Sequence, residues 1–127
     1  MKLNLDCIRD ILISVESMEY GDIWSIENLI NLLPQYNDSE LHYHCLKLVE
    51  AGLLDASTMR TLNSPLQIFR INDLTYEGHQ FLADIRSDNN WNKTKEVAKN
   101  IGSESLSAIR EIATAVISSI IHQKLNL

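Results

Sequence analysis

The stretch from Asp38 to Leu54 constrains the fold of this chain more than any other. Its apolar side chains recur at three- and four-residue spacing, which is the period of a helix with one buried face. These residues are Leu41, Cys45, Leu48 and Val49. Asp38 can cap the start because its carboxylate can accept from backbone N–H groups of the first turn, and Gly52 stands where a helix commonly ends in a left-handed residue. The stretch therefore predicts one helix over residues 38–51.

Two helices are predicted before this one. Apolar residues spaced by three and four make residues 6–17 an amphipathic helix. Residues 18–24 break this period and leave room for a turn or a short strand. Residues 26–33 form a second, short helix, which Pro34 closes because the residue before a proline avoids the helical conformation. Three helices joined by short turns are typical of a helix-turn-helix unit.

Two strands are predicted after the third helix. Residues 53–59 and 66–74 flank a polar segment that contains a proline, which is the pattern of a hairpin. Phe69 and Ile71 are expected to share a face, since side chains two apart in a strand point to the same side. The order of elements predicts a mainly α, α+β fold, namely a winged helix-turn-helix domain whose hairpin is the wing.

A fourth helix is predicted over residues 76–86, capped by Thr75. Gly78 in its first turn is costly for a helix, and the simplest physical reason for it is the close approach of another backbone, such as that of the wing strands. The inward face of this helix carries Phe81, Leu82 and Ile85.

The last part of the chain predicts a helical extension. A polar break at residues 87–90 separates the winged helix-turn-helix domain, residues 1–87, from the extension, residues 88–127. One helix there ends at Gly102, and Ser103 is expected to cap the last one. The wide apolar stripe of the last helix needs a partner, so we expect a homodimer through Ile112, Val116, Ile117 and Ile120.

Charge is distributed unevenly along the chain. Residues 1–64 hold four cations against ten acids, a formal charge of −6, whereas residues 65–127 hold seven of each sign. Affinity for nucleic acid comes largely from Lys and Arg that neutralise phosphates. The acidic half contains the third helix, so non-specific DNA affinity is expected to be poor.

Side chains that could support catalysis or metal binding do not converge. His42 and His44 are two residues apart on a helix and therefore point in different directions, so they cannot form a zinc site with Cys45. We expect His42 at the surface and His44 beside the core. The same argument separates Glu77 from His79 as an acid–base pair. We expect no metal, no cofactor and no enzymatic activity.

Two cysteines, Cys7 and Cys45, have apolar neighbours and predict buried, reduced thiols. The first residues carry charges within their apolar pattern, so they cannot supply the uncharged core of a signal peptide. No apolar run approaches the length of a membrane span. A cytoplasmic protein without membrane contact is expected.

Four pieces of the chain carry a family resemblance. They are Met1–Asp6 with Ile8–Leu12, Tyr43–Leu53, Leu74–Leu82 with Ile85 and Arg86, and Trp91 with Lys93. Together they resemble a family of bacterial and prophage proteins known as a domain of unknown function (number 2513). The resemblance implies a winged-helix-like fold and a mobile-element origin, and it adds no catalytic residue.

Two kinds of partner are compatible with these features. The fold favours a DNA-binding transcriptional regulator, in which Lys47 contacts a phosphate or a guanine edge, Tyr43 the backbone and Arg60 a minor groove of double-stranded DNA. Ser39 lies on the same helix face as Tyr43 and Lys47. The alternative is a protein-protein interaction module, an adaptor or anti-host factor that binds a host or phage protein, and the acidic N-terminal half favours it.

Overall fold

Residues 1–126 are described by a computed structural model, and within them six helices and one two-stranded antiparallel hairpin follow one another. The elements are α1 (Leu5–Glu16), α2 (Ile26–Leu32), α3 (Asp38–Glu50), β1 (Leu54–Met59), β2 (Gln67–Leu74), α4 (Tyr76–Ile85), α5 (Asp88–Ile101) and α6 (Leu106–Leu125). The predicted mainly helical α+β class is confirmed, and the order of three helices and a hairpin is winged-helix-like.

The chain divides into two compact units, Met1–His79 and Gln80–Leu127. The first unit contains α1, α2, α3, the hairpin and the start of α4, and the second contains the rest of α4 with α5 and α6. Among the helices of residues 1–126, none combines the length and the apolar character that crossing a bilayer requires.

Helix α3 contacts α1, α2 and both strands in the first unit. Leu41, Cys45 and Leu48 are fully buried, as the spacing predicted. The residue that caps α3 is Asn37 rather than Asp38, which is the first helical residue. Asn37 Oδ1 accepts from the Glu40 N–H at 2.8 Å, and Glu40 Oε1 accepts from the Asn37 N–H at 3.1 Å. This reciprocal pair satisfies two backbone N–H groups at once, which a lone Asp38 carboxylate would not do.

The hairpin contains two irregularities that change which side chains face the core. Ser57 is paired with Arg70 and Thr58 with Ile68, so Phe69 is an extra residue on β2. A β-bulge of this kind interrupts the alternation of side chains. Ile71 is therefore fully buried whereas Phe69 is 48% exposed, and the prediction that they share a face is wrong.

The break before α2 is bonded to the hairpin at one residue, Trp24. Trp24 and Ile71 exchange two backbone hydrogen bonds, of 2.9 Å from the Trp24 N–H and 2.8 Å from the Ile71 N–H. Residues 18–24 thus contain a turn followed by an isolated β-bridge at Trp24, which ties the segment to the edge of β2.

Gly78 lies where the start of α4 meets the end of α3. A Cβ atom at Gly78 would collide with the backbone carbonyl of Leu53. Thr75 holds the junction together, because its Oγ1 donates to the Gly52 carbonyl at 2.6 Å and accepts from the Gly78 N–H at 3.0 Å. The expected close backbone approach is confirmed, and its partner is the residue just before β1.

The second unit contains the hairpin of helices α5 and α6. Ser87 Oγ accepts from the Asn90 N–H at 3.1 Å and begins α5, which ends at Gly102 in the left-handed conformation with φ 86°. The cap of α6 is Ser105, whose Oγ accepts from the Ala108 N–H at 3.1 Å, and not Ser103 as expected. The buried side chains of these two helices are Trp91, Thr94, Ala98, Ile109, Ile112 and Ala113.

Candidate functional site

The face of α3 opposite its buried residues carries Ser39, Tyr43 and Lys47, which we call the outer stripe. Ser39 is exposed, and Tyr43 and Lys47 are half-buried. Folding therefore brings these three predicted residues together on one surface. This geometry follows from the helix period, because burying Leu41 and Leu48 turns positions 39, 43 and 47 outward.

The charge of the outer stripe is largely cancelled. Lys47 Nζ lies 3.0 Å from Glu50 Oε2 and also 5.3 Å from the centre of the Tyr43 ring. The hydrogen bond and the charge of Glu50 raise the pKa of Lys47. In this arrangement the ammonium of Lys47 is bound to a carboxylate. An ion pair this accessible to solvent contributes little to stability. A phosphate could displace Glu50, but it would meet a nearby negative charge.

The two histidines of α3 make structural hydrogen bonds in different directions. His44 is buried, with Nδ1 2.7 Å from the Glu40 carbonyl and Nε2 accepting from the Asn4 N–H at 2.8 Å. These contacts assign the neutral tautomer with the proton on Nδ1. The ring satisfies an N–H group at the start of α1 and so fixes α1 against α3.

His42 contacts the hairpin instead of lying free at the surface, where we expected it. Its Nδ1 accepts from the Ile68 N–H at 3.1 Å, and its Nε2 lies 3.4 Å from Asp38 Oδ1. The side chain is only 15% exposed. His42 therefore links α3 to the hairpin and holds the wing beside the helix.

The wing, residues 54–74, carries the other predicted residue, Arg60, which is exposed near the tip. It also carries an exposed arginine that the prediction missed, Arg70, whose guanidinium lies 4.9 Å from the centre of the Phe69 ring. Residues 56–72 contain both arginines and no Asp or Glu. That acid-free run was the sequence signal that could have identified Arg70. The wing thus carries two exposed arginines, with Asp55 and Asp73 near its two ends, in a unit that is otherwise acidic.

Exposed apolar side chains also occur on the wing. Leu62 is 92% exposed at the tip and Phe69 is 48% exposed on β2. Met59 and Leu66, close to the tip, are also exposed. The wing therefore combines exposed arginines with exposed apolar side chains. Met, Phe and Arg are the residue types enriched where proteins bind one another.

The cysteines lie away from any reactive surface. Cys7 and Cys45 are both buried free thiols. Burial is the main cause that raises the pKa of the Cys7 thiol to about 12, and the charges of Glu40 and Asp10 add to it. Burial likewise raises the pKa of Cys45. Both thiols are protonated at neutral pH and serve as small apolar core residues.

The predicted dimerisation residues lie in the second unit on α6. Ile112, Val116 and Ile120 line one groove between α5 and α6, whereas Ile117 is half-buried outside that groove. The groove has a volume of about 700 Å³. Folding therefore brings three of the four predicted residues together.

Sequence comparisons agree with the resemblance. The family model described as "Hypothetical protein (DUF2513)" matches residues 2–105. The chain belongs to this family. A protein of Haemophilus influenzae described as an "Uncharacterized protein" is 35% identical over 126 residues, which cover 95% of this chain and 99% of that protein. No solved structure gives a significant match.

Proposed function

We propose that this DUF2513 protein is a prophage-type, DNA-binding transcriptional regulator that contacts double-stranded DNA with α3 and the wing, and that it acts by binding rather than by catalysis. The observation that carries the proposal is the outer stripe beside a hairpin that carries two exposed arginines, Arg60 and Arg70. Tyr43 and Lys47 face outward on a helix whose other face is core, and His42 holds that helix to the wing. A helix with an accessible face and an adjacent wing can occupy a major groove and the backbone next to it.

The charges set the expected strength of this interaction. Arg60 and Arg70 are exposed, whereas Lys47 is paired with Glu50. Each phosphate contact contributes about 0.9 to the slope of log affinity against log salt concentration. A subunit with two or three such contacts binds DNA weakly without sequence recognition. Specificity must then come from base contacts by the outer stripe, repeated on more than one copy.

Binding of labelled duplex DNA at low salt tests the proposal. Arg60→Ala and Arg70→Ala should each reduce the salt slope by about 0.9, since each removes one phosphate contact. Lys47→Ala should weaken binding further than the loss of one cation explains, because Glu50 is left unpaired near phosphate. Lys99→Ala is the matched control, as it removes one exposed cation from α5. If the wing variants bind like the Lys99→Ala control, the proposed surface is wrong.

A protein-interaction module is the second candidate, and the exposed apolar wing favours it. Leu62 and Phe69 offer apolar area that a DNA backbone does not use. In this case a protein from host lysate should bind the wild type and not Leu62→Asp, while Arg60→Ala retains most of that binding. Equal capture by wild type and Leu62→Asp would exclude the wing as the binding surface.

A further inference from the structure

The groove between α5 and α6 is an apolar surface that the second unit leaves uncovered. Its walls carry Val97, Ile101, Ile112, Val116 and Ile120. Small side chains at Ala108, Ala115 and Ser119 keep it open along α6. Ala115 is exposed in its centre, and Ile101 at one end is 65% exposed. A ridge of side chains from another helix fits a groove of this kind.

The lengths of the two helices set the size of the face that they present. α6 has 20 residues and α5 has 14, or about 30 and 21 Å of helix. Two helices side by side present a face of about 30 by 20 Å, or about 600 Å². That is of the order of the roughly 800 Å² that each partner of a stable interface buries.

The two edges of the groove, which we call its lips, carry opposite charges. Lys93 on α5 and Glu111 on α6 both line it and are both exposed. Within residues 1–126 neither side chain takes part in an ion pair. A surface with a cation on one lip and an anion on the other is complementary to itself after a two-fold rotation that exchanges the lips.

We propose that a second copy of this chain covers the groove, with α6 of each copy lying over α5 of the other. The four helices then form a bundle around the apolar walls. The two-fold axis runs along the helices and brings Lys93 of each copy to the side of Glu111 of the other, so two ion pairs form per dimer. Ile117 lies outside this interface. The dimer does not depend on what the first unit binds.

Charge reversal tests the symmetry of the interface. The full-length wild type should sediment as a dimer at tens of micromolar. Lys93→Glu and Glu111→Lys should each weaken dimerisation roughly tenfold, because two attractive pairs become repulsive. An equimolar mixture of the two variants should regain wild-type affinity, since one contact then joins two native charges and the other joins two reversed charges. A mixture no tighter than either variant alone would overturn the proposed arrangement, and a wild type that stays monomeric would overturn the dimer.

A large side chain introduced into the groove tests the proposed dimer independently. Ala115→Arg should give monomers with unchanged helicity, because position 115 is exposed and the added side chain fills the groove. Thr114→Arg is the control, as Thr114 is also exposed but does not line the groove. The proposal fails if Ala115→Arg dimerises as tightly as Thr114→Arg.

Discussion

Replacement of Gly78 by alanine tests how tightly the start of α4 is held against Leu53. In most helical positions this change would stabilise the protein by up to about 1 kcal/mol, because alanine is the better helix former. At Gly78 the added Cβ meets the carbonyl of Leu53, which is backbone and cannot rotate away. The sign of the effect is therefore expected to reverse.

The change in the free energy of unfolding follows from the hydrogen bonds that must break if the backbone moves to avoid this collision. The Thr75 N–H donates to the Leu53 carbonyl at 3.1 Å, and Thr75 Oγ1 makes two further hydrogen bonds at the junction, to Gly52 and Gly78. Each contributes about 1 kcal/mol net, so their loss costs about 3 kcal/mol. After the gain in helix propensity, Gly78→Ala should lower the free energy of unfolding by about 2 kcal/mol. The melting temperature should fall by on the order of 10 °C.

Urea denaturation followed by circular dichroism measures this change, with an unchanged m-value showing that the unfolded state is the same. Ser118→Ala is the control, because Ser118 is an exposed residue inside α6 and should be neutral or slightly stabilised. A Gly78→Ala protein as stable as the wild type would refute the argument that backbone contact requires glycine here.

Two further predictions concern the caps and the thiols. Asn37→Ala should destabilise the protein by about 1 kcal/mol in urea denaturation, because it removes the reciprocal cap of α3, whereas Asp38→Ala should cost less; the opposite order would contradict the observed cap. Burial raises the pKa of Cys7 from 9.0 to about 12. Between these pH values the unfolded chain has lost a proton that the folded chain keeps. The free energy of unfolding should therefore fall as the pH rises above about 9. Alkylation of native Cys7 and Cys45 at pH 8 should be far slower than after unfolding, and rapid native labelling would contradict their burial.

Much of the fold could be predicted because its signals are local and periodic. The spacing of Leu41, Cys45 and Leu48 determines which face of α3 is buried, whatever packs against it. Gly78 was informative because glycine in a first helical turn is unfavourable without a specific contact. Gly102 ends α5 in the left-handed conformation for which glycine is the favoured residue.

The helix caps and the orientation of Phe69 could not be predicted from the spacing of residues, because they depend on which of several possible contacts forms in the folded protein. Asn37 and Asp38 are both good capping residues, and the reciprocal bond with Glu40 decides between them. Ser103 and Ser105 pose the same ambiguity at α6. The orientation of Phe69 depends on a bulge set by pairing with β1, which is a tertiary property.

The sequence predicted where the residues of the candidate site lie, but it did not predict which of their charges are paired. The helix period places Tyr43 and Lys47 outward, yet only the structure shows that Glu50 rather than solvent holds the Lys47 ammonium. His42 was expected at the surface, because helix spacing does not reveal a bond between residues far apart in sequence. In the structure its ring accepts from the Ile68 N–H. Arg70 was overlooked because it lies inside a strand, although the acid-free run around it was visible.

Selection from a random duplex library at low salt tests the proposed function most directly. The wild type should enrich a two-fold symmetric motif, and a variant carrying Lys47→Ala, Arg60→Ala and Arg70→Ala should enrich none while keeping its fold. Absence of any enriched motif with the folded wild type, or the same motif recovered by the triple variant, would contradict DNA recognition by α3 and the wing.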